Sequence, residues 1–318
     1  MKRTITITGW QRPELFRGLL RSLAANDLHG WNISIQLEPS EFVEDYRAAA
    51  AEMPSAIPLS LVVNAERLGI RHNPFRLLDR VFNEGADFVL YLEEDLLLSA
   101  DATALAAWYV KNHRPEWMVL SLLSGGCGSK GFISDRNYPE ILFAGKSFNS
   151  LGFAIRRAEW TQHVRPAWFA DRPVYTLEGE KTHGWDWSVY RMLVATPGLY
   201  SLQPAAARAT HTGRHGVNVR PHWHDSAFAD LELAEGAPAG CNYQVLTLEA
   251  LPAPLRRQAF LWEQASSAFD VISEKTSQLN AVRQELAELR RASKLARMLK
   301  GLLHTTAIFS TRKLRKSS

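Results

Sequence analysis

Cysteine is scarce in this chain, and its two cysteines, Cys127 and Cys241, stand far apart. Because neither belongs to a metal-binding or redox spacing, a disulfide framework is not indicated and a reducing compartment fits best. Apolar runs long enough to span a bilayer are also missing. The N-terminal MKRTITITGW enters a predicted strand almost at once and lacks the apolar core of a signal peptide. We therefore expect a cytoplasmic protein, with peripheral contact at the inner face of a membrane as an open alternative.

Glycine-rich nucleotide-binding motifs are absent as well. After the first strand that the period-two pattern predicts, Thr4–Thr8, neither GxGxxG nor GxxxxGKS or GxxxxGKT occurs, which disfavours dinucleotide enzymes and P-loop NTPases. The net charge of +4 reflects lysines and arginines crowded near the C-terminus, so it describes a tail and not a nucleic-acid-binding body. With 318 residues, 46% of them hydrophobic, the chain can form one large core and a smaller appendage.

The sequence does contain a regular alternation of strands and helices. Further strands are predicted at Asn32–Leu37, Leu59–Val63, Phe88–Leu92 and Trp117–Ser124. Helices are predicted from Pro13, over Pro74–Asn83, and from a cap at Ser99 or Asp101 to about Asn112. This alternation predicts an α/β fold with a mostly parallel central sheet flanked by helices.

The stretch FVLYLEEDLLLSAD ends a buried strand in three consecutive acids, Glu93, Glu94 and Asp95. In an open α/β sheet the carboxyl ends of the strands border the ligand crevice. Adjacent carboxylates need water, hydrogen bonds or a cation to relieve their repulsion. A hard divalent metal that bridges to a polyphosphate would also do chemistry, whereas the alternative is a solvated acidic turn. At the same edge we expect Arg12 and Glu38, with Arg12 as either a phosphate contact or a solvated arginine.

A second group of motifs follows in the C-terminal half of this predicted domain. In HGWDW, Asp186 is flanked by Trp185 and Trp187, which predicts either a general base beside sugar-stacking indoles or a helix cap beside packed tryptophans. In GRHGV, two glycines bracket Arg214 and His215, as in a mobile lid whose cations close over phosphate. The nearby pair His222 and His224 lacks a helical spacing or a cysteine partner, which disfavours a zinc site.

The C-terminal part changes composition. We predict a main domain at 1–250, a helical segment with a short coiled coil at 251–292, and a basic amphipathic tail at 293–318. The heptad positions Ile272, Leu279 and Leu286, with Val282 and Leu289, either join a homodimer or pack back on the domain. The tail's aliphatic content favours anionic lipid over nucleic acid as its partner.

Four of these stretches, in this order, resemble the GT-A glycosyltransferases, and most specifically the N-acetylglucosaminyltransferase I family. YLEEDLLLSAD is similar to that family's EDD metal motif, and SLGFAIRRAEW to its GLGW segment. The WDW of Trp185–Trp187 resembles its WDDW-type segment, and the GRHGV of Gly213–Val217 resembles its GRKGV lid. The similarity extends from about Thr4 to Asp225.

The resemblance implies a role for each matching residue. Asp95 corresponds to the direct ligand of Mn²⁺ or Mg²⁺, Glu94 to a ribose contact, and Glu93 to a contact with the donor sugar. Asp186 corresponds to the general base, and Arg12 and Glu38 occupy positions of nucleotide contacts. The chain departs from the pattern where Glu94 replaces an aspartate and where WDW lacks the second acid, which indicates a distant relative with another acceptor.

The resemblance therefore implies a metal-dependent hexosyl- or N-acetylhexosaminyltransferase. It would move a sugar, with inversion, from a nucleotide diphosphate donor, UDP-sugar foremost, to a hydroxyl of a glycan, lipid-linked glycan or protein. A sugar nucleotidyltransferase is an alternative, although the missing lysine-bearing glycine motif counts against it. A degenerate carbohydrate-binding or scaffold protein is another, because fold alone does not establish activity.

Overall fold

The computed structural model describes residues 1–126, 132–170, 184–216, 221–236, 242–261, 271 and 274–292, and the backbone alone of 174–175 and 181–182. The chain divides into two compact units, Met1–Asp270 and Val271–Ser318. The predicted tail at 293–318 lies outside the described residues, as do Cys127, Cys241, Ile272 and the end of the GRHGV stretch. Among the described residues, no helix is long and apolar enough to cross a membrane.

The first unit is a mixed α/β body. Its strands are β1 Arg3–Gly9, β2 Trp31–Leu37, β3 Leu59–Val63, β4 Phe88–Glu93, β5 Leu96–Leu98, β6 Trp117–Ser121, β7 Ile141–Gly145, β8 Phe153–Arg156, β9 Val174–Tyr175, β10 Lys181–Thr182, β11 Tyr200–Pro204, β12 Ala209–His211 and β13 Gln244–Leu246. Its helices are α1 Pro13–Ala24, α2 Val43–Ala51, α3 Gly69–Asn83, α4 Ala102–Lys111, α5 Arg157–Glu159, α6 Arg165–Trp168, α7 Trp185–Ala195 and α8 Pro221–Phe228. A π-helical turn joins α5 to α6, and residues 253–261 are also helical. The second unit contains a helix over residues 274–292.

Within the described residues, nine strands form one sheet in the order β13-β7-β11-β6-β8-β4-β1-β2-β3. Strand β1 pairs in parallel with both β2 and β4, and β2 pairs in parallel with β3. Strand β8 is antiparallel to both of its neighbours, and β7 is antiparallel to β11. The predicted mostly parallel sheet flanked by helices is confirmed.

The strand order reverses between β1 and β4. From β1 the chain moves outward to β2 and β3, and it then returns to the other side of β1 as β4. Parallel neighbours end at the same edge, so Thr8 near the end of β1 lies opposite Glu93 at the end of β4. Such a reversal opens a crevice at the carboxyl ends of the strands, where open α/β sheets bind ligands.

Strand β4 is buried on both faces. Phe88, Leu90 and Leu92 belong to a core shared with α1, α2 and α4, whereas Val89 and Tyr91 belong to a second core shared with α3 and α7. Successive side chains of a strand point to opposite faces, and both faces here are covered by helices. This explains why β4 is a continuous apolar run up to the acids.

Helix α3 begins earlier than predicted, at Gly69 instead of Pro74. The carboxylate of Glu38 accepts hydrogen bonds from the backbone N–H groups of Leu68 and Gly69, which supplies acceptors for the first turn. Proline marks a helix start only when its missing N–H falls in that first turn. Here Pro74 lies inside the helix, and the partner that starts the helix comes from β2.

Candidate active site

The three acids at the end of β4 are enclosed by protein. Glu94 and Asp95 each expose only 2% of their surface, and Glu93 is partly buried. The alternative of a solvated acidic turn is therefore wrong. The three carboxylates have different surroundings because successive side chains at the end of a strand point in different directions.

Glu94 holds the turn that follows β1. Its Oε2 accepts hydrogen bonds from the Trp10 N–H (2.8 Å) and from the hydroxyl of Tyr46 in α2. Its Oε1 accepts a hydrogen bond from Nε of Arg12 (2.8 Å). Burial raises the pKa of Glu94 to about 7, although the charge of Arg12 acts in the opposite direction. The carboxylate thus ties β1 and α2 to the end of β4 and orients Arg12.

Arg12 links two of the acids. It follows Gln11, whose φ of 63° lies in the left-handed region that residues other than glycine seldom adopt. Besides its bond to Glu94, its guanidinium places Nη1 2.6 Å from Oδ2 of Asp95. Burial alone would lower the pKa of Arg12, but the charges of Asp95 and Glu94 raise it above the ordinary value. Arg12 is thus part of the acidic site, with 33% of its side chain still exposed.

Asp95 receives a partner that the sequence analysis did not single out. Strand β12 pairs antiparallel with β5 and sets His211 opposite Leu96, so Nε2 of His211 lies 3.0 Å from Oδ2 of Asp95. The Thr212 N–H and hydroxyl both donate to the Asp95 carbonyl, at 2.7 and 2.9 Å. Burial alone would raise the pKa of Asp95, but the hydrogen bond and charge of His211, together with Arg12, lower it.

The first glycine of the GRHGV stretch packs directly on this site. A Cβ added at Gly213 would lie 2.7 Å from Nη1 of Arg12 and 2.9 Å from Cε1 of His211, and it would also overlap Oδ2 of Asp95. Real Cβ atoms essentially never come this close to another heavy atom. A side chain at this position would therefore displace Asp95, Arg12 or His211, which the close approach of glycine avoids.

Asp186 lies near the same acids. It occupies the first turn of α7, and its Oδ1 accepts a hydrogen bond from the Trp187 N–H (3.0 Å). Burial, followed by the negative charges of Asp95 and Asp186, raises the pKa of Glu93 to about 8, while Arg12 acts to lower it. Trp185, which precedes Asp186, packs edge-on against Tyr91, and the Tyr91 hydroxyl donates to Oε1 of Glu93 (3.4 Å), so the start of α7 lies close to the end of β4.

The two tryptophans beside Asp186 are core residues. Trp185 exposes 1% and Trp187 exposes 8% of its surface. Trp185 stacks on Trp168 with ring centroids 3.8 Å apart and also packs edge-on against Tyr91. The expectation that these indoles stack on acceptor sugars is therefore wrong, and the alternative of a helix start with packed tryptophans is confirmed. The predicted cap is wrong, because Gly184 is the N-cap residue of α7 and, among the described residues, no side-chain hydrogen bond caps it.

Glu38 is 4% exposed at the end of β2. Besides the two backbone N–H groups at the start of α3, its Oε2 accepts a hydrogen bond from Nδ2 of Asn64 (3.2 Å). The carboxylate therefore anchors α3 at the same sheet edge as the acids. Its predicted contact with a nucleotide stays a prediction.

Arg214 and His215 follow Gly213. Arg214 forms a two-pronged ion pair with Asp225 of α8, with Nε and Nη2 each 2.7 Å from a carboxylate oxygen. This hydrogen bonding lowers the pKa of Asp225 to about 2. His215 is exposed, with Nε2 3.4 Å from Nη1 of Arg214. The predicted lid cations thus adjoin the glycine that touches Asp95, and their role toward phosphate stays a prediction.

Among the described residues of the acidic site, Asp95 has an oxygen atom suited to a divalent cation. Oδ1 of Asp95 is buried without a hydrogen-bond partner in the described structure, and leaving such an oxygen unsatisfied costs free energy. Carboxylate oxygens are preferred ligands of Mg²⁺ and Mn²⁺. Among the described residues, no three His, Cys, Asp or Glu side chains form a metal-binding group. Asp95 thus fits a cation whose other ligands are water and substrate oxygens, the usual arrangement of Mg²⁺ at phosphate sites.

Comparison with models of protein families finds no match, and comparison with curated protein sequences finds none either. Solved structures do show similarity. The match to TarS 1–349 of S. aureus has 15% identity and a TM-score of 0.45, and it covers 67% of this chain and 61% of that one. This chain therefore spans less than two thirds of that relative.

Two further solved structures are similar. The mannosyltransferase PcManGT from Pyrobaculum calidifontis, in complex with GDP-Man and Mn²⁺, has 15% identity and a TM-score of 0.48, covering 90% of this chain and 80% of that one. A putative nucleotide-diphospho-sugar transferase from Desulfovibrio desulfuricans has 11% identity and a TM-score of 0.40, covering 71% and 93%. These scores are too low to decide function, which has to be argued from the site.

Proposed function

We propose that this chain is a GT-A glycosyltransferase that moves a sugar from a nucleotide diphosphate donor to an acceptor hydroxyl. The observation that carries the proposal is the contact of Arg12 with Glu94 and Asp95 at the strand-order reversal, with the start of α7 close to Glu93 and, among the described residues, one buried oxygen of Asp95 unsatisfied. A cluster with more acids than cations suits a ligand that brings a cation with it. A nucleotide diphosphate with Mn²⁺ or Mg²⁺ is such a ligand.

Asp95 is the residue that would hold the cation. When bound, a divalent ion at this position supplies positive charge that stabilises the departing diphosphate. Arg12 and His211 keep the Asp95 side chain in one orientation through Oδ2, which leaves Oδ1 for the metal. Glu94 acts indirectly, because its three hydrogen bonds fix the positions of Arg12 and of the turn after β1.

Asp186 would remove the proton of the acceptor hydroxyl, and its place at the start of α7 suits an anion. Glu93, whose pKa is raised by burial and by the negative charges of Asp95 and Asp186, would contact hydroxyls of the donor sugar. Arg214 and His215 would add positive charge near the diphosphate once Arg214 leaves Asp225. Attack from the face opposite the diphosphate would invert the anomeric configuration. A UDP-sugar with a hexosyl or N-acetylhexosaminyl group remains the first donor to test.

A hydrolysis assay over a panel of nucleotide sugars tests the proposal. We expect slow release of nucleoside diphosphate that requires Mn²⁺ or Mg²⁺ and stops with a chelator. Release of pyrophosphate from a nucleoside triphosphate and a sugar phosphate would instead indicate the nucleotidyltransferase. If no nucleotide raises the melting temperature and no turnover occurs, the proposal fails and a scaffold role is favoured.

A further inference from the structure

Helix 274–292 of the second unit carries an exposed apolar stripe. Leu279, Val282, Leu286 and Leu289 expose 50%, 51%, 49% and 62% of their surface. Single exposed aliphatic residues are normal on proteins, but these four are spaced alternately by three and four residues. They occupy the a and d positions of a heptad and therefore lie along one side of the helix.

The charges that border this stripe have a specific order. Arg283 and Arg290 occupy e positions, and Glu285 occupies a g position. In a parallel two-stranded coiled coil, a g residue faces the e residue five positions later on the other helix. Glu285 would therefore face the partner's Arg290, and the symmetry of the pair repeats this contact on the other side.

We propose that this helix forms a parallel, in-register coiled coil with a second copy of this chain. In an antiparallel pair, e positions face e positions, which would set Arg283 and Arg290 against arginines of the other helix. The parallel arrangement replaces that repulsion with attraction between opposite charges. The exposed Lys275 at the preceding d position marks the N-terminal end of the apolar stripe.

The same charges disfavour a lipid surface as the occupant of this helix. Interfacial helices that bind anionic membranes carry lysine and arginine on their polar face. Here Glu285 and Glu288 alternate with Arg283, Arg290 and Arg291, so the polar surface has both signs. A mixed surface of this kind is typical of the flanks of a coiled coil. The proposal concerns the second unit alone and is independent of the proposed activity.

Sedimentation of the full chain tests self-association. We expect the wild-type protein to be dimeric at roughly 10–100 µM and the Leu286→Asp variant to be monomeric there. Gln284→Arg, at an outward f position of the same helix, is the matched control and should stay dimeric. A wild-type monomer throughout this range, or a dimer that Leu286→Asp leaves intact, would overturn the proposal. A wild-type monomer whose sedimentation with anionic vesicles depends on Leu286 would instead assign the stripe to lipid.

A charge exchange tests the parallel register. We expect Glu285→Arg and Arg290→Glu each to raise the dissociation constant of the dimer by about tenfold, because each converts two attractive pairs into repulsive ones. The double variant restores the opposite charges in exchanged positions and should return to near the wild-type value. A double variant that dimerises more weakly than either single one would exclude the parallel register. All variants should keep the melting temperature of the first unit, which shows that they fold.

Discussion

Two buried groups of this molecule combine arginine, aspartate and tyrosine, and they treat charge in opposite ways. In the first group, the carboxylate of Asp101 accepts hydrogen bonds from Nε and Nη2 of Arg208, at 3.0 and 2.9 Å, and from the hydroxyl of Tyr243, at 3.0 Å. Two further donors of Arg208, on Nη1 and Nη2, reach the carbonyls of Ala206 and Pro139. Among the described residues, the charge of Arg208 is paired with the charge of Asp101, and each nitrogen of the fully buried guanidinium has a hydrogen-bond partner.

The second group is the acidic site, where Arg12 faces Glu93, Glu94 and Asp95 with Asp186 nearby. Among the described residues, these four acids outnumber the basic residues Arg12 and His211, burial raises the pKa values of Glu93 and Glu94, and Oδ1 of Asp95 has no hydrogen-bond partner. The balanced pair stabilises the fold. The unbalanced site keeps an excess of negative charge, which only a cation or a proton removes. The comparison teaches that electrostatic imbalance marks the candidate site better than the presence of charge does.

The largest effect should follow the removal of the cation ligand. We expect Asp95→Ala to abolish metal-dependent donor binding and to lower turnover by roughly 10³-fold or more, since a bound metal contributes several kcal/mol of charge stabilisation. Calorimetry with nucleoside diphosphate, with and without Mn²⁺, measures the binding. Asp87→Asn, an exposed carboxylate at the opposite end of β4, is the matched control. Unchanged metal-dependent binding in Asp95→Ala would remove Asp95 from this role.

The next effect concerns the base. Asp186→Asn should retain donor binding and lose transfer by roughly 10²–10⁴-fold, because the amide cannot accept the acceptor proton. A calorimetric titration with donor and a steady-state rate with acceptor separate the two quantities. Since Asn keeps a side-chain oxygen for the Trp187 N–H, the start of α7 should persist. A variant that transfers sugar at the normal rate would show that Asp186 is not the general base.

The next prediction concerns how much the buried pair of Arg208 and Asp101 contributes to the free energy of unfolding. We expect Arg208→Met to lower the free energy of unfolding by about 3 kcal/mol or more, because it leaves Asp101 buried without its counter-ion. Chemical denaturation measures this, and Arg165→Met, which breaks an exposed pair with Asp79, should cost well under about 1 kcal/mol. The double change Asp101→Leu with Arg208→Met should recover part of the loss. If the two single effects simply add, the pair is not coupled as described.

The fold and one side of the site were predictable because they depend on local pattern and on sheet edges. The strand limits follow from apolar runs, and parallel neighbours must end together, which brought Arg12, Glu38 and the three acids to one edge. His211 was missed because its partner β5 lies outside the main sheet and far away in the chain. The only signal was a histidine two residues before the glycine of GRHGV.

Burial was the other quantity that the sequence pattern did not supply. Tryptophan beside aspartate is equally consistent with an exposed sugar platform and with a packed helix start, and core partners distant in sequence, such as Trp168 and Tyr91, decide between them. The same holds for Glu94 and Glu38, whose hydrogen-bond donors come from other elements of the chain. Side-chain partners that are distant in sequence therefore limit the prediction of residue roles more than they limit the prediction of strands.

The smallest effect sharpens the comparison through pH. In the metal-free protein, Glu93 has a folded-state pKa of about 8 against an ordinary value of 4.5. The folded state therefore binds more protons than the unfolded state between these values, and stability falls as pH rises from about 4.5 to 8. Glu93→Gln removes this cost, so its free energy of unfolding in chelator should exceed that of wild type at pH 8 and converge with it near pH 4.5. Glu84→Gln, an exposed glutamate, should show no such difference. Denaturation at several pH values measures both, and a Glu93→Gln variant less stable than wild type at pH 8 would mean that the acidic site is balanced after all.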